Sequence, residues 1–378
     1  MRGAGVNTPS FFSILGRPDP TPWILESDEP QARWVALAEL LPDLSKSKRA
    51  AGLEAAHVAV LAHPATRALL DFLPAGWDTP ADASGHNKPE LATNLLALLA
   101  DIGLTEADDP RIGRLLDGML ARTDAEGRFL AHGVQRSGPP VWGCLPCDTH
   151  AIADILGRFG RTQDPRWRRA LSAAESDLAR TDFGLTWRCR PDAATGFRGP
   201  GRADEPCPQT TLEALRAFSW LPPAKRPAWL PEVVHASLEV WRRRGDRKPY
   251  MFGHGRQFKI MKWPPAWYGA YEVVDVLGRL PEAWRDRPKD RRSVAEIAAC
   301  LVAYNIAPDG RVTPQSTFKG WEMLSLGRKK EPSPLATTLV WSRLARFADI
   351  AGEIAAVDVL RLGSSKGGSG APLPPRLG

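Results

Sequence analysis

A pattern of about sixty residues recurs along the chain. Each copy opens at a proline, at Pro30, Pro89, Pro146, Pro208, Pro265 and Pro334, and within 7 to 12 residues reaches a leucine followed three positions later by a large apolar residue. The leucines are Leu37, Leu99, Leu156, Leu215, Leu277 and Leu344, spaced 62, 57, 59, 62 and 67 residues apart, and their partners are Leu40, Ile102, Phe159, Phe218, Leu280 and Phe347. Proline suits the first helical position, where its missing N–H has no partner to lose, and residues three apart share a helical face. Six helices of one kind are therefore predicted.

Six further helical stretches lie between them. Asp109-Pro110 and Asp164-Pro165 each place a capping carboxylate before a first-turn proline. The others fall near residues 51–73, 227–243, 290–306 and 349–361. Four are followed by a glycine-bearing turn: Gly76-Trp77, Gly127-Arg128-Phe129, Gly184-Leu185-Thr186-Trp187 and Gly310-Arg311-Val312. Repeats of this length indicate stacked helical hairpins, in an open solenoid or a closed ring. The expected fold is all-α, one domain over 25–361, with a flexible arm at 1–24 and a glycine- and serine-rich tail at 362–378.

At 43% hydrophobic residues the chain can bury a core, and it has no apolar run of 18 residues to span a membrane. Met1 to Pro20 lacks the apolar stretch of a secretory signal, so a cytoplasmic location is expected and cysteines are read first as thiols or metal ligands.

On repeat length, turns and helix order, residues 25 to 352 resemble the α/α-toroid superfamily of terpenoid (squalene) cyclases and protein prenyltransferases. The resemblance implies an (α/α)6 toroid whose proline-initiated helices form the inner ring, with all six N-termini at one mouth. It also implies a prenyltransferase- or cyclase-like enzyme handling an isoprenoid or other lipid-like ligand. The Asp-x-Asp-Asp acid motif of the cyclases is absent; Cys147 and Leu145 stand where partners of Asp148 would fall.

Four of five cysteines lie within 64 residues: Cys144, Cys147, Cys189 and Cys207. Cys147 follows Pro146 and Cys207 precedes Pro208, so both sit at starts of consecutive repeat helices, where the helix dipole favours thiolates. Four thiolates imply a structural zinc site, with an iron–sulfur cluster, a disulfide or unrelated thiols as alternatives. Prenyltransferases hold zinc with Asp, Cys and His, which makes Asp148 and His150 candidate catalytic residues; helix capping and a polar first turn are their plainer roles.

Tryptophan is frequent, with 14 residues, including Trp142, Trp220, Trp263, Trp267 and Trp341. Trp267 and Tyr271 share a helical face with Tyr268 alongside, and an aromatic wall would suit an isoprenoid or a carbocation. Equally, these rings can simply fill the core. Between Arg242 and Lys262 lie eight basic residues and one acid, so this window carries the whole net charge of +7. Arg256, Lys259 and Lys262 are candidates to hold a diphosphate head beside that wall; nucleic-acid phosphates or solvent are the alternatives. The rival to the ligand-handling reading is a non-catalytic, metal-stabilised helical scaffold that binds a protein or nucleic acid.

Overall fold

The computed structural model describes residues 10–41, 45–83, 88–133, 135, 138–199, 202–245, 255–266 and 269–363. It is all-α in class. Strand pairing among these residues is limited to three two-stranded ribbons: β1 (Ala131–Gly133) with β2 (Val141–Gly143), β3 (Ala179–Thr181) with β4 (Gly184–Thr186), and β5 (Lys262–Trp263) with β6 (Ser316–Thr317).

Part of the expected N-terminal arm is structured. Helices α1 (Phe11–Ile14) and α2 (Thr21–Glu26) lie within or overlap it. The Phe11 and Phe12 rings meet Trp341 edge-on at 5.9 and 4.8 Å, and Ile24 is fully buried. Apolar contact, rather than local propensity, orders such short helices. Of the expected tail, residues 364–378 lie outside the described residues.

Four repeat helices begin at their proline: α3 (Pro30–Val35, continued by a π-helical turn over Ala36–Leu40), α8 (Pro146–Arg158), α10 (Pro208–Phe218) and α15 (Pro334–Ala345). The other two start later, α6 at Ala92–Asp101 and α13 at Ala270–Arg279.

The intervening stretch expected at 51–73 is two helices, α4 (Lys46–Ala62) and α5 (Pro64–Asp71), broken at Pro64. The others are α7 (Pro110–Ala121), α9 (Pro165–Ser176), α11 (Leu230–Arg242), a short α12 (Arg256–Lys259), α14 (Pro288–Asn305) and α16 (Ala351–Ala355). Asp109 and Asp164 cap as expected, each accepting from the second residue of its helix at 2.8 Å. Among the described residues no helix is long and apolar enough to cross a membrane.

Repeat helices pack on one another in the order α6 on α8, α8 on α10, α10 on α13, α13 on α15, and α15 on α3, while α3, α8, α10 and α13 also pack on the helices that follow them, α4, α9, α11 and α14. Gly103, with φ +95°, ends α6 directly against Trp34 of α3, whose ring would collide with any Cβ there.

Indoles seal the joints between layers. Trp167 donates to the Ala153 carbonyl at 2.8 Å, Trp187 to Ala174 at 2.7 Å, and Trp341 to Gly310 at 2.8 Å. All three are fully buried, so each apolar ring is removed from water without orphaning its N–H.

Candidate functional site

The loops carrying the thiols are tied together by backbone. Arg188 bridges Pro206, and the Cys207 amide donates to the Trp187 carbonyl at 2.9 Å. Cys189 thereby meets Cys207, which caps α10, while its own sulfur accepts the Gly199 amide at 3.1 Å. The Cys207 thiol is drawn below its ordinary range by the Cys189 contact, with help from Thr210 and the Gln209 amide at the helix start, against burial. Cys147, in the first turn of α8, is pushed well up by burial, then by the charges of Asp148, Cys207, Cys189 and Glu213.

Cys144 faces elsewhere. Its amide donates to Asp192 Oδ2 at 2.7 Å, and its sulfur lies 3.8 Å from Asp124 Oδ2 and 3.6 Å from Thr149 Oγ1. Burial pushes this thiol up to about 11. The structure thus gathers Cys189 and Cys207, with Cys147 close enough to feel their charge, and sets Cys144 apart. Among the described residues no three His, Cys, Asp or Glu side chains stand at the spacing of a metal-binding group.

Asp148 and His150 are both buried in the first turns of α8. His150 packs edge-on against Trp187 at 5.8 Å, and its Nε2 has no hydrogen-bond partner. Burial, then Arg128, lowers its pKa to about 3, so the ring is neutral at ordinary pH.

The basic run is largely engaged in the fold. Arg242 pairs with Glu239 at 2.7 Å and Asp290 at 2.9 Å; Arg243 stacks over Phe183 and Arg244 over Trp241. Lys259 is buried with its ammonium 4.9 Å from the centre of the Tyr304 ring, whereas Lys262 covers Phe318 at 3.7 Å and Arg256 is exposed. Residues 246–254, and the ligand candidates Trp267 and Tyr268, lie outside the described residues.

A polar pocket with about 610 Å³ of empty space, part of it open to solvent, lies between α6, α8, α10, α13 and α15. Tyr271 is the one aromatic on its described wall; Arg256, Lys259 and Lys262 do not line it. Charged side chains dominate instead. Arg343, 1% exposed, pairs with Asp101 at 2.9 Å, Asp275 at 3.1 Å and Glu39 at 2.9 Å. Arg158 holds Asp101 at 2.7 Å and Asp154 at 2.8 Å; Arg216 holds Glu213 at 3.0 Å and Asp275 at 3.4 Å. Burial opposes ionisation of Asp275, but Arg279, Arg343, Arg346 and Arg216 outweigh it and hold this carboxyl well below the usual range.

Glu272 behaves oppositely. It lines the same cavity, yet no described cation lies within ion-pair distance of its carboxyl. Burial raises its pKa to about 8; Arg216 and the amides of Glu272 and Gly269 oppose the rise, and the Asp275 charge adds to it. One wall therefore carries a carboxyl that is protonated at neutral pH beside carboxylates that are not, an arrangement able to donate and accept protons.

Motif reading missed this network. Its signal was positional: Glu39, Asp101, Arg158, Arg279 and Arg346 each stand two residues after the repeat leucine, and Asp154, Glu213 and Asp275 two before it.

A second, apolar pocket lies between α10, α11 and α13, lined by Leu212, Leu238 and Val273 among others. Comparison with models of protein families, with curated proteins and with solved structures finds no match to this chain.

Proposed function

We propose that the chain is an (α/α)6 toroid, with α3, α6, α8, α10, α13 and α15 as its inner ring, that binds a small polar molecule in its central cavity. The observation that carries this reading is the wall itself, to which five repeat helices each contribute polar side chains or a tight apolar contact. Thermal-shift measurement against water-soluble amines, carboxylates, sugars and prenyl diphosphates, on wild type and on Ala97→Trp, tests it. Ala97 lines the cavity, so a ligand there stabilises wild type and not the filled variant. Equal shifts in both proteins, or none in either, reject the reading.

An isoprenoid ligand is the second reading, supported by Tyr271 on the wall; the prenyl diphosphates in the same panel test it. For the thiols we propose a structural role as a clasp between the starts of α8 and α10. Zinc on Cys144, Cys147, Cys189 and Cys207 is its metal-bound form, which requires the Cys144 thiol to turn from Asp124 and Thr149 toward the other three, and an iron–sulfur cluster on the same thiolates is the alternative. Elemental analysis and absorption of purified protein decide between them, and colourless protein lacking stoichiometric zinc rejects both.

A further inference from the structure

Resting on the cavity reading above, we propose that the ligand is a small primary amine or guanidine whose cationic head pairs with Glu272. The remaining charges of the wall are matched. Arg158, Arg216 and Arg343 each face two or more carboxylates, and Asp101, Glu213 and Asp275 each face at least one guanidinium. Glu272, at the third position of α13, has amides of Gly269 and its own residue before its carboxyl but no cation in reach.

The groups that face Glu272 across the cavity are Arg216 and Glu213 from α10, Asp275 from its own helix, Arg343 from α15, Asp101 from α6 and Arg158 from α8. An anion entering this space would meet carboxylates beside every guanidinium. An apolar ligand would cover polar groups without bonding them, which is costly. A cation completes the position left unmatched among the described charged groups of the wall. Because the empty site holds the Glu272 proton near neutrality, uptake of an ammonium expels it: the carboxylic acid O–H is lost to buffer as the carboxylate pairs with the incoming cation.

The test is calorimetric titration of n-butylammonium at pH 7 in two buffers of different ionisation enthalpy, with n-butanol and n-butyrate as controls. The same titrations are made on Glu272→Gln, Ala97→Trp and the gentler filler Ala97→Leu, with circular dichroism to show that each is folded. Gln retains the size and amide-facing oxygen of Glu272, so its cap survives.

The expected result is binding of butylammonium alone, release of about one proton per ligand, a loss of about tenfold or more with no proton release in Glu272→Gln, and no binding to a filled variant. Butyrate binding as well as butylammonium, or unchanged affinity in Glu272→Gln, overturns the proposal. If ammonium fails while another polar compound stabilises wild type but not the filled variants, the cation is wrong and the cavity reading stands. If butylammonium binds the filled variants as it does wild type, or no compound tells them apart, both fail.

Discussion

The Arg343 guanidinium pairs with Glu39 at 2.9 Å, joining the last repeat helix to the π-helical continuation of the first. The same side chain reaches Asp101 on α6 and Asp275 on α13, so one buried cation ties four repeat helices. Removing it takes one guanidinium from each of three carboxylates at once and leaves the buried centre, otherwise held by Arg158, Arg216, Arg279 and Arg346, one positive charge short. Arg343→Met is expected to lose about 3–5 kcal/mol in urea denaturation. A loss typical of a surface residue would show that these carboxylates are solvated.

Glu272 makes stability depend on pH in a defined direction. Its folded pKa of about 8 lies above the ordinary 4.5, so the folded state holds this proton while the unfolded chain gives it up. Stability from this group is full below pH 4.5 and is lost as pH rises toward 8. Glu272→Gln should therefore melt higher than wild type at pH 8.5 and alike at pH 4, measured by calorimetry in matched buffers. Equal melting at both values contradicts the assignment.

His150 gives the opposite slope. Its folded pKa of about 3 lies below the ordinary 6.5, so its contribution is full above pH 6.5 and is lost as pH falls toward 3. His150→Phe keeps an aromatic edge against Trp187 and removes the orphaned Nε2. Its denaturation midpoint should fall less between pH 6.5 and 4.5 than that of wild type; parallel curves would mean the ring is hydrated.

Gly103 has both a left-handed backbone and the Trp34 ring at its Cα. Gly103→Ala combines a backbone penalty of about 1 kcal/mol or more with displacement of that ring. Chemical denaturation should show a loss above that figure. Gly160→Ala, at φ +78° with open space around it, supplies the control with the backbone penalty alone.

Helix class and most helix starts were legible because proline and capping aspartates act locally, at Pro146, Pro208, Pro334, Asp109 and Asp164. The later start of α13, at Ala270 and not Pro265, was not legible in the proline pattern. The charged centre was harder to see, since an Arg or Glu on a helix ordinarily marks the solvated face. At 100° per residue, positions two before or after the leucine point about 200° away from it. When the leucine faces the following helix, those positions face the centre, and Glu39, Asp101, Arg158, Glu213 and Asp275 follow from that register. For the thiols, sequence placed Cys147 and Cys207 at helix starts but not the rotation of Cys144, which Asp192 sets through its backbone amide.

The proposed ring rests on a charged centre shared by several repeat helices, and a double-mutant cycle on Arg343→Met and Asp101→Asn probes that centre through the ion pair that links α15 to α6. A coupling free energy above about 1 kcal/mol is expected if the two side chains share the buried network; changes that add within about 0.5 kcal/mol would contradict the shared charged centre on which the proposed ring rests.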